Sequence, residues 1–157
     1  MFKLDTLLDL QAHLPRGQRI VFANSVRRAG WIAEHLDREL AEAQPVHKVG
    51  LIHGEMDPVD RADVLEAFAA GDIMTLVATD VAGRGLDTQS VATVVCWEPP
   101  RDHQTYVHRA GRVGRTGRKG LVLNLVGSGF EARTLEAFGD LQDAPIAEMP
   151  TDLSVAF

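Results

Sequence analysis

Arg19-Ile20-Val21-Phe22-Ala23-Asn24-Ser25 decides the fold. An apolar run of strand length follows the break Pro15-Arg16-Gly17, and it passes at Ser25 into a helix reaching about Ala43. In that helix Ala29, Ile32, Ala33, Leu36, Leu40 and Ala43 recur at helical spacing with charges opposite. A buried strand followed by an amphipathic helix is half of a βαβ unit, and the pattern repeats outward. Upstream, residues 4–13 read as a leading helix. Downstream, Lys48 to Ile52 reads as strand two. Asp57 caps a helix with Pro58 at its first position, Ala62, Leu65, Phe68 and Ala69 inward and Gly71 at its end. Ile73 to Ala78 reads as strand three, and Val91 to Trp97 as a fourth, followed by the segment Asp102 to Val113. Gly120 to Val126 gives a fifth strand and Phe130 to Gln142 a last helix. The alternation predicts an α/β fold, a parallel sheet with helices on both faces and ligand-binding loops beyond the strands' C-terminal ends. One domain is expected over residues 1–143, with 144–157, containing Pro145 and Pro150, as an extended strap or linker.

Charge is distributed unevenly. The 157 residues carry a net charge of −6, which argues against a generic polyanion binder. Residues 101–120 nevertheless hold six of the sixteen Lys and Arg residues against one acid, Asp102, a local +5 on a body of −11. One basic stripe on an acidic surface suits local binding of phosphates with little nonspecific coating. Cys96 is the single cysteine, so neither an internal disulfide nor a cysteine zinc cluster is available from this sequence. No apolar run approaches the length of a membrane span, and Met1 to Leu14 lacks a signal-peptide core. A soluble intracellular chain, in the cytoplasm or an organelle, is expected, with no membrane partner and an oligomeric state the sequence leaves open.

The basic stripe is concentrated in Tyr106-Val107-His108-Arg109-Ala110-Gly111-Arg112-Val113-Gly114-Arg115-Thr116-Gly117-Arg118. Arginine supplies a permanent planar fork that matches phosphate oxygens, and glycine lets another surface approach the backbone. Three further segments precede it in order: Val21-Phe22-Ala23-Asn24-Ser25, His53-Gly54-Glu55-Met56-Asp57-Pro58-Val59-Asp60-Arg61 and Leu76-Val77-Ala78-Thr79-Asp80-Val81-Ala82-Gly83-Arg84-Gly85-Leu86-Asp87. Together they resemble the C-terminal, RecA-like domain of the DEAD-box ATP-dependent RNA helicases over roughly residues 19–127, which implies a parallel sheet of the P-loop NTPase type. His108 stands where related helicase groups usually carry Gln, so the resemblance favours RNA.

The resemblance implies roles residue by residue. Arg112 and Arg115 would be catalytic fingers on the γ-phosphate, with Asp87, Gly85, His108 and Arg109 on the nucleotide side. Asn24, Ser25, Gly54, Arg61, Thr79 and Asp80 would meet the RNA backbone, and Arg84 would couple the two sites. A carboxylate such as Asp87 suits a ribose hydroxyl because, ionised, it only accepts. Two positions depart from the family, Pro58 where Gln is usual and Gly83 where a larger residue is common. Without the family, Ser25 and the pair Thr79-Asp80 read as helix caps, Arg61 as a solvated arginine of a first helical turn and Gly83-Arg84-Gly85 as a turn.

No Gly-Lys-Ser/Thr phosphate loop and no Asp-Glu-Ala-Asp box occur in these residues. The nucleotide site is therefore expected to be incomplete in this chain, with ATP and Mg2+ held mainly by an N-terminal RecA-like domain. The leading expectation is the second lobe of an RNA helicase, inactive alone as an ATPase. A RecA-like adaptor that binds RNA or protein without catalysis, and the second lobe of a DNA-directed helicase, remain open alternatives.

Overall fold

A computed structural model describes residues 2–11, 13–43, 47–83, 91–114, 120–142 and 146–149. The elements run α1 (Phe2–Leu10), β1 (Arg19–Ala23), α2 (Val26–Ala43), β2 (Val49–Ile52), α3 (Pro58–Ala70) and β3 (Thr75–Thr79). They continue with α4 (Asp80–Gly83), β4 (Thr93–Cys96), α5 (His103–Ala110), β5 (Leu121–Asn124) and α6 (Gly129–Gln142). All four strand pairings are parallel, in the order β2-β3-β1-β4-β5. The central strand is β1, buried along its whole length.

Alternation along β1 divides the core. Val21 and Ala23 face α1 and α2, joining Leu7, Ile32, Leu36 and Leu40. Ile20 and Phe22 face the other side, with Phe68 of α3, Tyr106 of α5 and Leu135 and Phe138 of α6. Helices thus cover both faces, as expected of a parallel sheet whose strands read as continuous apolar runs. Full burial of a Val, Ile or Phe is worth about 1.5–3 kcal/mol, so the Ile20-Val21-Phe22 triplet is a principal anchor of both layers.

The expected caps are present: Asp57 Oδ1 accepts from the Val59 amide at 2.8 Å, Pro58 opens α3, and Gly71 closes it in the left-handed region at φ 85°. The inward face of α3 differs from expectation. Ala62 and Ala69 are exposed, whereas Val64 and Leu65 are half-buried and Phe68 is buried. Arg61 opens the inward stripe at the i, i+3, i+4, i+7 spacing, and small alanines are indifferent to which side they face. Helix α1 starts at Phe2 and ends at Leu10, earlier than its apolar pattern suggested. Strand β3 extends to Thr79 and α4 follows at once, which puts Thr79 and Asp80 on the rim of the sheet. Among the described residues no helix is long and apolar enough to cross a membrane.

Candidate nucleic-acid and nucleotide interface

Helix α5 carries the residue that joins the strand ends. Asp102 caps it, Oδ1 accepting from the Thr105 amide at 2.8 Å, and Tyr106 and Arg109, three residues apart, both face inward. Arg109 is 1% exposed. Its Nε and Nη2 donate to the two oxygens of Asp80 at 2.7 and 2.8 Å, the paired geometry that suits a guanidinium best. Nη2 also donates to Asn24 Oδ1 at 2.6 Å, and Nη1 to the Glu98 carbonyl at 2.9 Å. The guanidinium carbon lies 5.3 Å from the Phe22 ring centroid. One side chain thereby fastens the exits of β1, β3 and β4. Burial alone would lower the pKa of Arg109, but the bonds to Asp80, together with Cys96 and the Asp80 charge, outweigh it and the net direction is upward.

Asn24 is held from both sides, its Nδ2 donating to the Pro99 carbonyl at 2.8 Å and its amide to the Glu98 carboxylate at 3.2 Å. Behind this network burial pushes the Cys96 thiol up to about 11, so it stays protonated and is no nucleophile.

In front of the network lies a cavity of about 340 Å3, lined by Asn24, Ser25, Gly54, Thr79, Asp80 and Val81 among others. Thr79 Oγ1, in a residue only 6% exposed, has no hydrogen-bond partner. An orphaned buried hydroxyl costs about 1–3 kcal/mol unless a ligand satisfies it. Ser25 both caps α2, Oγ accepting from the Arg28 amide at 3.2 Å, and lines the cavity. Gly54 has a steric reason of its own: a Cβ there would come within 2.9 Å of Val81 Cγ1. Arg61 spends one donor, Nη2, on the Ala82 carbonyl at 3.3 Å.

At the far end of α5, His108 is exposed and Arg112 half-buried, with Arg112 Nε 3.3 Å from the His108 carbonyl. The Arg112 carbonyl accepts from the Val91 amide at 3.2 Å, and a parallel bridge joins Val91 to Val113, fixing where the arginine run begins. Arg84, Gly85, Asp87 and Arg115 lie outside the described residues.

The structure brings together Asn24, Asp80 and Arg109, which the sequence had assigned to two different ligands, and Ser25, Gly54 and Thr79 around one cavity. The Glu98 carbonyl went unforeseen. The only trace of Arg109's burial in the sequence was its spacing from Tyr106.

The helicase conserved C-terminal domain family matches residues 2–117. The chain belongs to this family. Among curated proteins this helicase C-terminal domain is similar to the ATP-dependent RNA helicase FAL1 of Meyerozyma guilliermondii, 35% identical over 153 residues, covering 98% of this chain and 37% of the relative. It is also similar to a probable eukaryotic initiation factor 4A of Trypanosoma cruzi, 36% identical over 152 residues, covering 97% of this chain and 36% of the relative. The chain spans a little over a third of the length of these relatives. Among solved structures it resembles the C-terminal domain of the DEAD-box protein Dbp5, with a TM-score of 0.82 and 30% identity over 96% of this chain and 84% of that one. Dbp5 of S. cerevisiae bound to RNA and ADP BeF3 gives a TM-score of 0.83 at 30% identity, covering 96% of this chain and 39% of that one. The RecA-like architecture expected of the DEAD-box resemblance is the one observed.

Proposed function

We propose that this domain is the second lobe of an ATP-dependent RNA helicase, gripping the RNA strand by its backbone at the rims of β1, β2 and β3. The observation that carries the reading is Thr79, whose buried, unpartnered hydroxyl sits in the wall of a cavity of about 340 Å3 beside Ser25 and Gly54. A phosphate oxygen pressed against this wall, with a small shift that uncovers Oγ1, would supply the missing acceptor. Two carboxylates at the same cavity would repel that phosphate: Asp80 is paired through both oxygens with Arg109, and Glu55 is exposed to solvent that screens it. Arg61, on α3 against α4, adds a cation with donors to spare. Contacts of this kind position the strand without reading its bases.

On the nucleotide side Arg112 and Arg115 would meet the γ-phosphate, where a positioned guanidinium offsets charge developing on the equatorial oxygens. His108 would stand beside them, Gly85 and Asp87 would face the ribose, and Arg84 would couple the two sites. Arg109 acts here as a positioning residue: it belongs to the helix that carries His108 and leads to Arg112, yet its guanidinium holds the RNA-side residues Asn24 and Asp80. An N-terminal RecA-like lobe would hold most of the ATP and Mg2+, so this chain alone should not hydrolyse ATP.

Replacing Thr79 by Val removes the hydroxyl at constant volume. Thr79→Val should fold at least as well as the wild type and bind single-stranded RNA more weakly; equal RNA affinity would contradict the backbone site. Wild-type affinity should fall with salt at a log slope of roughly −0.7 per phosphate neutralised. In the two-lobed enzyme Arg112→Lys should lose most RNA-stimulated ATPase activity, because an ammonium cannot reproduce the fork. Unchanged turnover would remove that role from Arg112.

A further inference from the structure

The first turns of α2 border a second groove that none of the roles above uses. Ser25 lines the backbone cavity and also a neighbouring cavity of about 430 Å3, whose other walls among the described residues include Arg27, Arg28 and Trp31. Trp31 is fixed: its ring stacks on His35 at 4.1 Å between centroids and meets Trp97 edge-on at 6.1 Å. His35 is held in turn, its Nδ1 lying 2.8 Å from the Trp31 carbonyl. A preset aromatic surface loses little entropy when a second ring packs against it.

Charge favours an anion here. Arg27 is exposed and has no ion-pair partner among the described residues. Glu98 and Glu131 line the cavity that shares Arg28 and Trp31 with this groove, and both are engaged. Glu98 pairs with Arg28 at 3.4 Å and accepts from the Asn24 amide. Glu131 pairs with Lys3 at 3.0 Å. An aromatic ring interleaved with arginines is the arrangement by which single-stranded nucleic acid is held without base preference.

We infer that the RNA strand continues from the backbone cavity across the start of α2, one nucleotide placing its phosphate against Arg27, beside the Arg28–Glu98 pair, and its base against Trp31. The inference rests on the RNA reading of the Thr79 cavity and extends it to a base-stacking subsite reached over Ser25. It assigns Trp31 the role of a platform that lengthens the binding site, with no readout of base identity.

The test compares a short oligouridylate that fills only the backbone cavity with a longer one, on the wild type and on Trp31→Ala, Trp31→Phe, Arg27→Ala and Thr79→Val. Binding of the longer RNA should weaken about fivefold or more in Trp31→Ala, remain nearly intact in Trp31→Phe, and weaken in Arg27→Ala. The short RNA should not distinguish these three from the wild type. An abasic residue at the stacked position should abolish the Trp31→Ala penalty. The chain contains two tryptophans and Trp97 is 4% exposed, so emission quenched by the longer RNA reports on Trp31. Arg27 is on the surface, so its variant remains informative if Trp31→Ala fails to fold. If the Trp31 and Arg27 variants bind the longer RNA like the wild type while Thr79→Val weakens it, the subsite is refuted and the backbone site stands. That result would leave the groove to an apolar anchor of a protein partner. If RNA binding ignores Thr79 as well, both readings fall.

Discussion

Two buried arginines sit at opposite ends of the sheet, and they differ in whether a carboxylate accompanies them. Arg109, at the C-terminal rim, is paired with Asp80 and tied to Asn24 and to the Glu98 carbonyl. Arg19, which begins β1 at the N-terminal rim, is 7% exposed; among the described residues its Nη1 donates to Gln11 Oε1 and its Nε is unpartnered. Its register partners are Thr75 and Thr93, and the Thr93 hydroxyl is unpartnered too. The two pKa directions follow: upward at Arg109, where Asp80 together with Cys96 overcomes desolvation, and downward at Arg19, where burial acts alone. A buried cation is tolerated at either end, but only the compensated one can hold several strand exits in a fixed arrangement. That end is the one proposed to bind RNA.

The largest effect expected from breaking the contrast is at Asp80. Asp80→Ala strands the Arg109 charge and should destabilise the chain by about 3 kcal/mol in urea unfolding, the lower end for a broken buried pair because Asp80 is partly exposed. A loss below about 1 kcal/mol would mean that water compensates Arg109 as well as the carboxylate does.

Cys96 sharpens the same end through pH. Its folded pKa, about 11, lies above its ordinary 9.0, so the stability it contributes is full below pH 9 and is lost as pH rises from 9 towards 11. The wild type should lose up to about 2–3 kcal/mol more than Cys96→Ala across that window. Parallel curves for the two proteins would contradict the burial of the thiol.

At the other end the sign reverses. Arg19→Met removes an uncompensated cation and keeps the stem that packs against the core, so it should be neutral or stabilise by about 1 kcal/mol. Clear destabilisation would show that Arg19 has a counter-charge after all.

The smallest effect belongs to His47, whose Nε2 lies 2.8 Å from Thr75 Oγ1 and whose pKa is lowered by burial and by the charge of Arg19. A lowered folded pKa means that its stabilising contribution is present above pH 6.5 and is lost as pH falls through the folded value. Arg19→Met should move the His47 titration back upward by NMR; an unchanged titration would remove Arg19 as a cause.

Much of the fold was legible because five apolar runs of strand length alternate with helical periodicities, and caps such as Asp57 and Gly71 punctuate them. The inward face of α3 was misread where Ala62 and Ala69 carry no directional information, and where Arg61 takes a place on the packed side. The strand-end motifs were legible as a set. Their mutual bonding was not, because Arg109 reaches Asp80 across 29 residues of sequence and Asn24 across 85. No local pattern encodes such a link. Trp31 carries no such signal in the sequence, because its ring contacts require His35 and Trp97 together, one on its own helix and one beyond β4.

The most direct test of the proposed RNA-binding rim is an amide NMR titration of this 17.1 kDa chain with single-stranded RNA. Perturbations should centre on Asn24, Ser25, Gly54, Thr79 and Asp80, diminish as salt is raised, and reach Arg27 to Trp31 only with the longer strand. Perturbations confined to the Arg19 end of the sheet, or none at saturating RNA, would contradict the account.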